Sequence, residues 1–414
     1  MVTIEDLFKK HQSVQNVGFS GDAYKPGLAR MVAFDAIVGC PWKKFRSVHV
    51  AGTNGKGSVS SMLASALASS GLRTGLYTSP HLKDFRERMR IVGHGMIPED
   101  KVEEFLSVYE RQLDPLSFFE ITTEMAFWWF ASEGVDIAVI ETGLGGRLDS
   151  TNIITPQLSV ITSIGLDHCA ILGDTLGKIA FEKAGIFKKS VPAVVASREK
   201  ETEKVFEKVA ESIPCSLVFA DQVSVYGEDG FEVDERAVLA RMDLQGPCQA
   251  QNLHTALVCL SELGVKADLE AIERTAELTC FRGRWERLCL NPEVICDIGH
   301  NPQALEINFA RLKQTGRPLF VVYGVMADKD VDSIAAFMPD GARYYLCAPH
   351  TERSLDVERL QNRLKALRPA LNTVTAPSVE EAVRMAVADA GRTDDSLVYI
   401  GGSTFVVSES LKCF

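Results

Sequence analysis

The chain has 414 residues, 46% of them hydrophobic and 24% charged, and a formal net charge of −11. That length exceeds one ordinary core, and that charge excludes generic nucleic-acid binding, which needs clustered Lys and Arg. No apolar run approaches the roughly 18 residues that span a bilayer, and the opening MVTIEDLFKKHQ carries charges where a signal peptide needs its apolar region, so two domains, no membrane and a cytoplasmic location are expected.

Taken in order, SVHVAG, RTGLYTS, DIAVIET, LSVITSIG and VPAVVAS are short, apolar and β-branched, and amphipathic stretches separate them. They read as buried parallel strands of an α/β domain with helices on both faces. A charged, irregular segment near 221–250 and a helical stretch near 250–278 follow. The alternation then resumes with EVICDIG, LFVVYGV, RYYLCAP and SLVYIGG. The expected architecture is therefore a P-loop, mononucleotide-binding parallel-sheet domain over 1–287 and a smaller Rossmann-like α/β domain over 288–414. The connector is expected near FRGRWERLCL.

The first stretch shaped for a ligand is VHVAGTNGKGSVSSML, Val48 to Leu63. Gly52, Gly55 and Gly57 free backbone N–H groups to point at phosphate oxygens, the helix start adds partial positive charge, and Lys56 adds a full one. Thr53 or Ser58 can approach Mg²⁺. The strict GxxxxGK[ST] pattern is not met, since Gly57 separates Lys56 from Ser58, and a tight strand-to-helix turn is the competing reading. Val59, Met62, Leu63, Ala66 and Leu67 fall on one helical face.

Ligands in open parallel sheets collect at the carboxyl ends of the strands. There the chain places Ser79 and His81 (GLYTSPHL), Glu141 before a glycine turn (VIETGLGGRLDSTN), and Asp167 with His168 (ITSIGLDH). Together they favour Mg²⁺ held by oxygens and one imidazole. In GDTLGKIAFEKAGIF, Asp174 is a plausible N-cap and Lys183 lies on the apolar face with Leu176, Ile179, Ala180, Ala184 and Phe187. Either its stem snorkels to solvent or it sits near metal and phosphates with a depressed pKa.

In CDIGHNPQALEINFARL, Asn301 caps a helix that opens on Pro302, which puts Asp297 and His300 on the preceding loop; both could merely bond the turn. Ser403 follows a glycine pair at another strand end. The ten cysteines show no metal spacing and read as reduced core thiols.

With HVAGTNGKGSV, TSPHLKDFRERMR, FFEITTEMAF, ETGLGGRLDSTN, ITSIGLDHCAILGDTLGKIAFEKAGIF, GRWE, DIGHNP and ADKD in this order, the chain resembles the bifunctional folylpolyglutamate synthase/dihydrofolate synthase family of the Mur ligase superfamily over almost its whole length. The resemblance implies ATP-driven amide formation: a carboxylate of dihydropteroate or of a tetrahydrofolate (poly)glutamate becomes an acyl phosphate, which the amine of L-glutamate attacks. It implies that Gly52, Thr53, Asn54, Gly55, Lys56, Gly57 and Ser58 hold the triphosphate, and that Ser79, Glu141 and His168 ligate two Mg²⁺ ions. Lys183 corresponds to the lysine that becomes carbamylated and so a metal ligand. Asn252 would lie on the adenine side. Arg284 would approach the γ-phosphate from the interdomain seam. Asp297, His300 and Ser403 would be catalytically important on the opposite wall, with Asp297 also touching nucleotide.

Closure would then exclude water from the acyl phosphate. Phe118 and Phe119 could stack on the pterin or aminobenzoyl end, or simply pack in the core. The family's DGAHNP stands here as DIGHNP and its GxHQxxN as GPCQAQN; before Lys43 the match is loose, which leaves the pterin contacts open. The competing readings are a cell-wall Mur ligase, which would need a further N-terminal UDP-binding domain where only about 45 residues precede the loop, and a nucleotide switch, which would not need Lys183, Arg284, Asp297 or His300. A monomer with only small-molecule substrates is expected.

Overall fold

The computed structural model describes residues 4–18, 23, 25–227, 230 and 232–414. Part of the loosely matching segment near 19–24 thus lies outside the described residues. The chain divides into two compact units, Met1–Asp243 with Cys248–Phe281, and Leu244–Pro247 with Arg282–Phe414.

The first unit holds strands β1 (Arg46–Ala51), β2 (Thr74–Tyr77), β3 (Met89–Ile91), β4 (Gly95–Met96), β5 (Ile137–Glu141), β6 (Leu158–Ile161), β7 (Ala193–Val195) and β8 (Leu217–Phe219). Their order is β4-β3-β2-β5-β1-β6-β7-β8. All five expected strands are present and parallel, and β8 extends them. Strands β3 and β4 add an antiparallel edge that the sequence reading missed. They are three and two residues long, too short for any period to show.

Among the helices of this unit are α1 (Ala29–Val38), α2 (Lys56–Ser69), α3 (Phe118–Ser132), α4 (Leu176–Ala184) and α5 (Gln249–Glu262). Helix α2 differs from expectation. It is buried all round from Gly57 to Leu67, not on one face, because it packs on β1, β2 and β5 and is itself covered by α5 and the short helices of 269–279. Its many Ser and Ala side chains make that close double packing sterically possible. On the other face of the sheet, Ala138 and Ile140 join the aromatic core of α3.

The second unit carries β9 (Glu286–Leu290), β10 (Glu293–Cys296), β11 (Leu319–Tyr323), β12 (Arg343–Leu346), β13 (Asn372–Thr375) and β14 (Leu397–Gly401), in the order β13-β12-β11-β14-β10-β9. Only β9 is antiparallel. Helices α6 (Pro302–Gln314) and α7 (Thr404–Ser410) follow the ends of β10 and β14. The chain is thus a mixed α/β protein with two parallel-rich sheets.

Two local expectations are corrected. The N-cap of α4 is Thr175, whose side chain accepts from Lys178 N, whereas Asp174 pairs with Lys178 Nζ at 2.8 Å. None of the ten cysteines forms a disulfide, but only Cys259, Cys296 and Cys347 are buried; Cys169, Cys280 and Cys413 are exposed at helix ends or near the terminus, where no strand covers them. Among the described residues no helix is long and apolar enough to cross a membrane.

Candidate active site

The loop after β1 is built from backbone bonds that cross to the end of β6. Thr53 N donates to Ser163 O at 2.7 Å, Asn54 N to Ser163 Oγ at 2.9 Å, and Thr162 Oγ1 to Asn54 O at 2.6 Å. Gly52 (φ 155°) and Gly55 (φ 85°) take conformations that L side chains rarely adopt. Space is as restrictive as angle: a Cβ on Gly52 would lie 1.9 Å from Thr162 Oγ1, and one on Gly55 2.3 Å from Asn252 Oδ1. Gly57 is closed in the same way by Phe281, at 2.7 Å.

The helix α2 that this loop opens has no side-chain cap, so its first N–H groups and dipole face the loop. Asn252, on α5, packs against this loop and donates to Gln249 Oε1 at 2.9 Å; Gln249 Nε2 in turn reaches Ser58 Oγ at 3.4 Å. The structure therefore brings Gly52 to Ser58 and Asn252 into one assembly.

Two lysines converge on one atom of it. Lys56 Nζ donates to Gly52 O at 3.0 Å and to Thr53 O at 3.3 Å, and Lys183 Nζ donates to the same Gly52 O at 2.7 Å. Lys183 is 3% exposed, so the snorkelling reading is wrong. Burial first, and the Lys56 ammonium second, push its pKa well below the ordinary lysine range, against the attraction of Asp167 and Asp149.

The sign of the resulting pH effect is fixed. The unfolded chain binds the Lys183 proton up to about pH 10.4 while the fold releases it earlier, so stability rises with pH between those values and is lost as pH falls through the folded one. In CO₂-free buffer the wild type is expected to gain up to about 1.4 kcal/mol per pH unit inside that window relative to Lys183→Met. Urea midpoints of both proteins at pH 8 and pH 10 check this, and identical slopes would contradict it.

Helix α4 is held in place from the glycine turn after β5. Arg147 N donates to Glu182 O at 2.8 Å, and Asn152 Nδ2 to Gly185 O at 2.9 Å. A Cβ on Gly146 would sit 2.8 Å from Lys183 O. Asp149 accepts from Thr151 Oγ1 at 2.6 Å and Leu144 N at 2.8 Å, and Thr151 Oγ1 meets the buried His49 Nε2 at 2.8 Å. Burial holds His49 down at about pKa 3, so it is neutral. None of Asp149, Asn152, Thr162 or Ser163 was singled out from sequence; the polar run DSTN and the hydroxyl pair after β6 were the available signals.

Of the expected metal ligands, Ser79 and Glu141 meet directly, Ser79 N donating to Glu141 Oε2 at 3.0 Å. Glu141 is buried, and its Oε2 lies 3.6 Å from where a Gly57 Cβ would be. His168 adopts a left-handed conformation (φ 52°), its N donating to Asp167 Oδ1 at 2.9 Å and its Nε2 lying 3.7 Å from Asp167 Oδ2. Among the described residues no three His, Cys, Asp or Glu side chains form a ready metal cluster. Phe118 is core, while Phe119 presses on Gly143, whose Cβ would be 2.5 Å from its ring.

In the second unit Asn301 caps α6 as expected. Asp297 is bonded on both oxygens: Oδ2 accepts from Trp285 N at 3.0 Å, and Oδ1 from Gly299 N at 2.8 Å and Asn308 Nδ2 at 2.7 Å. Arg284 is thereby tied, through its neighbour Trp285, to Asp297. His300 Nδ1 lies 3.1 Å from Ile298 O, and Ser403 caps α7 by accepting from Phe405 N at 3.1 Å.

Known families meet this geometry on both units. Residues 50–260 match the Mur ligase middle domain, and residues 283–404 the Mur ligase glutamate ligase domain. The dihydrofolate synthase/folylpolyglutamate synthase of Escherichia coli K12 is 34% identical over 358 residues, 84% of this chain and 82% of that protein. A probable bifunctional folylpolyglutamate synthase/dihydropteroate synthase of Haloferax volcanii is 33% identical over 407 residues, 93% of this chain and 48% of that protein. The chain thus spans about half the length of this relative and of a similar one from Halobacterium salinarum. Among solved structures, E. coli FolC in complex with DHPP and ADP superposes with a TM-score of 0.80 at 28% identity, covering 99% of this chain and 96% of that one. Mycobacterium tuberculosis folylpolyglutamate synthase complexed with ADP gives 0.83 at 27%, covering 98% and 96%. The chain belongs to the dihydrofolate synthase/folylpolyglutamate synthase family of Mur ligases.

Proposed function

We propose that this chain joins L-glutamate to dihydropteroate, to reduced folate (poly)glutamates, or to both, using ATP and an acyl-phosphate intermediate. The observation that carries the reading is the pair of lysine Nζ atoms on Gly52 O, beside an uncapped helix start. Two cations on one carbonyl repel unless an anion joins them or one loses its proton. A triphosphate on the loop would serve the first need and a modified Lys183 the second. The names of the relatives and the bound ADP of FolC supply the same chemistry from outside the chain.

In this proposal the N–H groups of Gly52 to Ser58 cradle ATP and Lys56 offsets phosphate charge, while Asn252 keeps the loop in shape. A neutral, buried Lys183 amine can add CO₂, releasing a proton and leaving a carbamate. Ser79, Glu141, His168 and that carbamate would hold two Mg²⁺ ions; the carbamate would add a second acidic ligand beside Glu141, where the unmodified set makes no ready cluster among the described residues, and the counterpart from Yersinia pestis is complexed with AMPPNP and Mn ion. Bound there, the ions would neutralise phosphate oxygens and polarise the transferring phosphoryl group.

A substrate carboxylate oxygen then attacks the γ-phosphorus, ADP leaves, and the glutamate amine displaces phosphate from the acyl carbon. Arg284 stabilises charge on the transferring group, with Asp297 contributing to the nucleotide site and His300 and Ser403 completing the second unit's catalytic set. The enzyme acts as a cytoplasmic monomer in this reading.

A coupled phosphate-release assay tests it: release must need ATP, L-glutamate and a folate or pteroate acceptor together, and release without an acceptor would contradict it. Arg284→Ala is expected to lower kcat for phosphate release about 10²- to 10³-fold with smaller changes in KM. A rise in KM alone would remove Arg284 from the transfer step.

A further inference from the structure

Arg90 is a buried cation with no assigned role. It sits on the edge strand β3, in register with Leu76 of β2 and Met96 of β4. It is 6% exposed, its Nε has no hydrogen-bond partner, and its guanidinium makes no ion pair with any described residue. Arg88, two residues earlier, shows what a settled arginine looks like here. It donates to His81 Nδ1 at 2.9 Å and Gln15 Oε1 at 3.0 Å and lies over the Phe118 ring at 5.5 Å.

The charges nearest Arg90 do not satisfy it. Glu87 is already occupied by the backbone N–H groups of Leu82, Lys83 and Asp84. Cys280, the other titratable neighbour, ends the helix Thr275–Thr279, and the next residue, Phe281, packs on Gly57 at the start of α2. Arg90 therefore lies near the segment whose Phe281 packs on the start of α2. A guanidinium buried with its Nε unpartnered is costly, and a bidentate carboxylate would offset that cost. In the sheet order, β3 lies three strands from β1, about 14 Å at the usual spacing, which suits a group away from the phosphoryl transfer itself.

We propose that Arg90 binds a substrate carboxylate that is not being activated, either that of the incoming L-glutamate or that of the acceptor's glutamyl tail. This rests on the ligase reading, since only such a reaction brings these acids together. Dihydropteroate carries no carboxyl except the one activated, so the two sources separate by acceptor.

The test compares wild type, Arg90→Lys and Arg90→Met. Thermal midpoints without substrate are expected to stay or rise in Arg90→Met, because an unpaired buried charge is replaced by an apolar chain of similar length. The KM for one carboxylate substrate is expected to rise about 10- to 100-fold, with Lys intermediate and the KM for ATP within about twofold. A rise for L-glutamate with either acceptor assigns the incoming amino acid, and a rise only for the glutamylated acceptor assigns the tail. Unchanged KM values, or a fallen midpoint without substrate selectivity, would overturn the proposal. Should wild type release no phosphate with these substrates, the ligase reading fails by itself. Stabilisation by L-glutamate or a monoglutamyl folate, present in wild type and lost in Arg90→Met, then still decides for Arg90, and equal shifts in both proteins decide against it.

Discussion

Lys183→Ala is expected to lower amide formation about 10²- to 10³-fold while nucleotide affinity changes by less than about fivefold. The side chain is buried, donates to Gly52 O, and has its charged form disfavoured by burial and by Lys56. An amine so placed is either a cost or a reagent. Removing it deletes the group that would become the anionic metal ligand but leaves Lys56, the loop amides and the helix start in place. Burst-free steady-state phosphate release and nucleotide titration on the same sample measure both quantities. Turnover close to wild type would show that the lysine only packs.

Gly52→Ala is expected to lose both stability and nucleotide binding. The added methyl would lie 1.9 Å from Thr162 Oγ1 and 3.1 Å from Ser163 N, at a φ of 155°. Thr162 cannot simply turn away, because its hydroxyl holds Asn54 O at 2.6 Å. Steric strain of this kind costs on the order of 2–4 kcal/mol. Because the displaced atoms belong to the loop proposed to cradle ATP, ATP affinity is expected to fall about tenfold or more. Adding Thr162→Ala to it should recover part of the stability and little of the affinity, since the loop then loses the Asn54 bond; additive losses in a double-mutant cycle would argue against the clash.

What the sequence revealed follows from how local each signal is. The five parallel strands of the first unit were legible because buried strands are apolar on both faces, and the glycine loop because its spacing sits within seven residues. The edges β3 and β4 were not, and Arg90 escaped notice with them: a lone arginine in a three-residue strand looks like a solvated charge. Whether Lys183 snorkels or is sealed in depends on Gly52, 131 positions away, which no helical period reports. Asp174 and Thr175 are both good caps, and only the geometry that pairs Asp174 with Lys178 chooses between them. Asp297 does bond the turn, accepting from Trp285 N and Gly299 N; its part in catalysis is a proposal that this bonding does not decide.

The measurement that decides most directly is isotope transfer. Acceptor labelled with ¹⁸O in its reacting carboxylate is incubated with ATP, Mg²⁺ and L-glutamate, and the phosphate released is analysed by mass spectrometry. An acyl-phosphate ligase delivers one labelled oxygen to each phosphate, because the attacking carboxylate oxygen leaves with it when the amine arrives. Unlabelled phosphate, or release of AMP and pyrophosphate in its place, would contradict the mechanism.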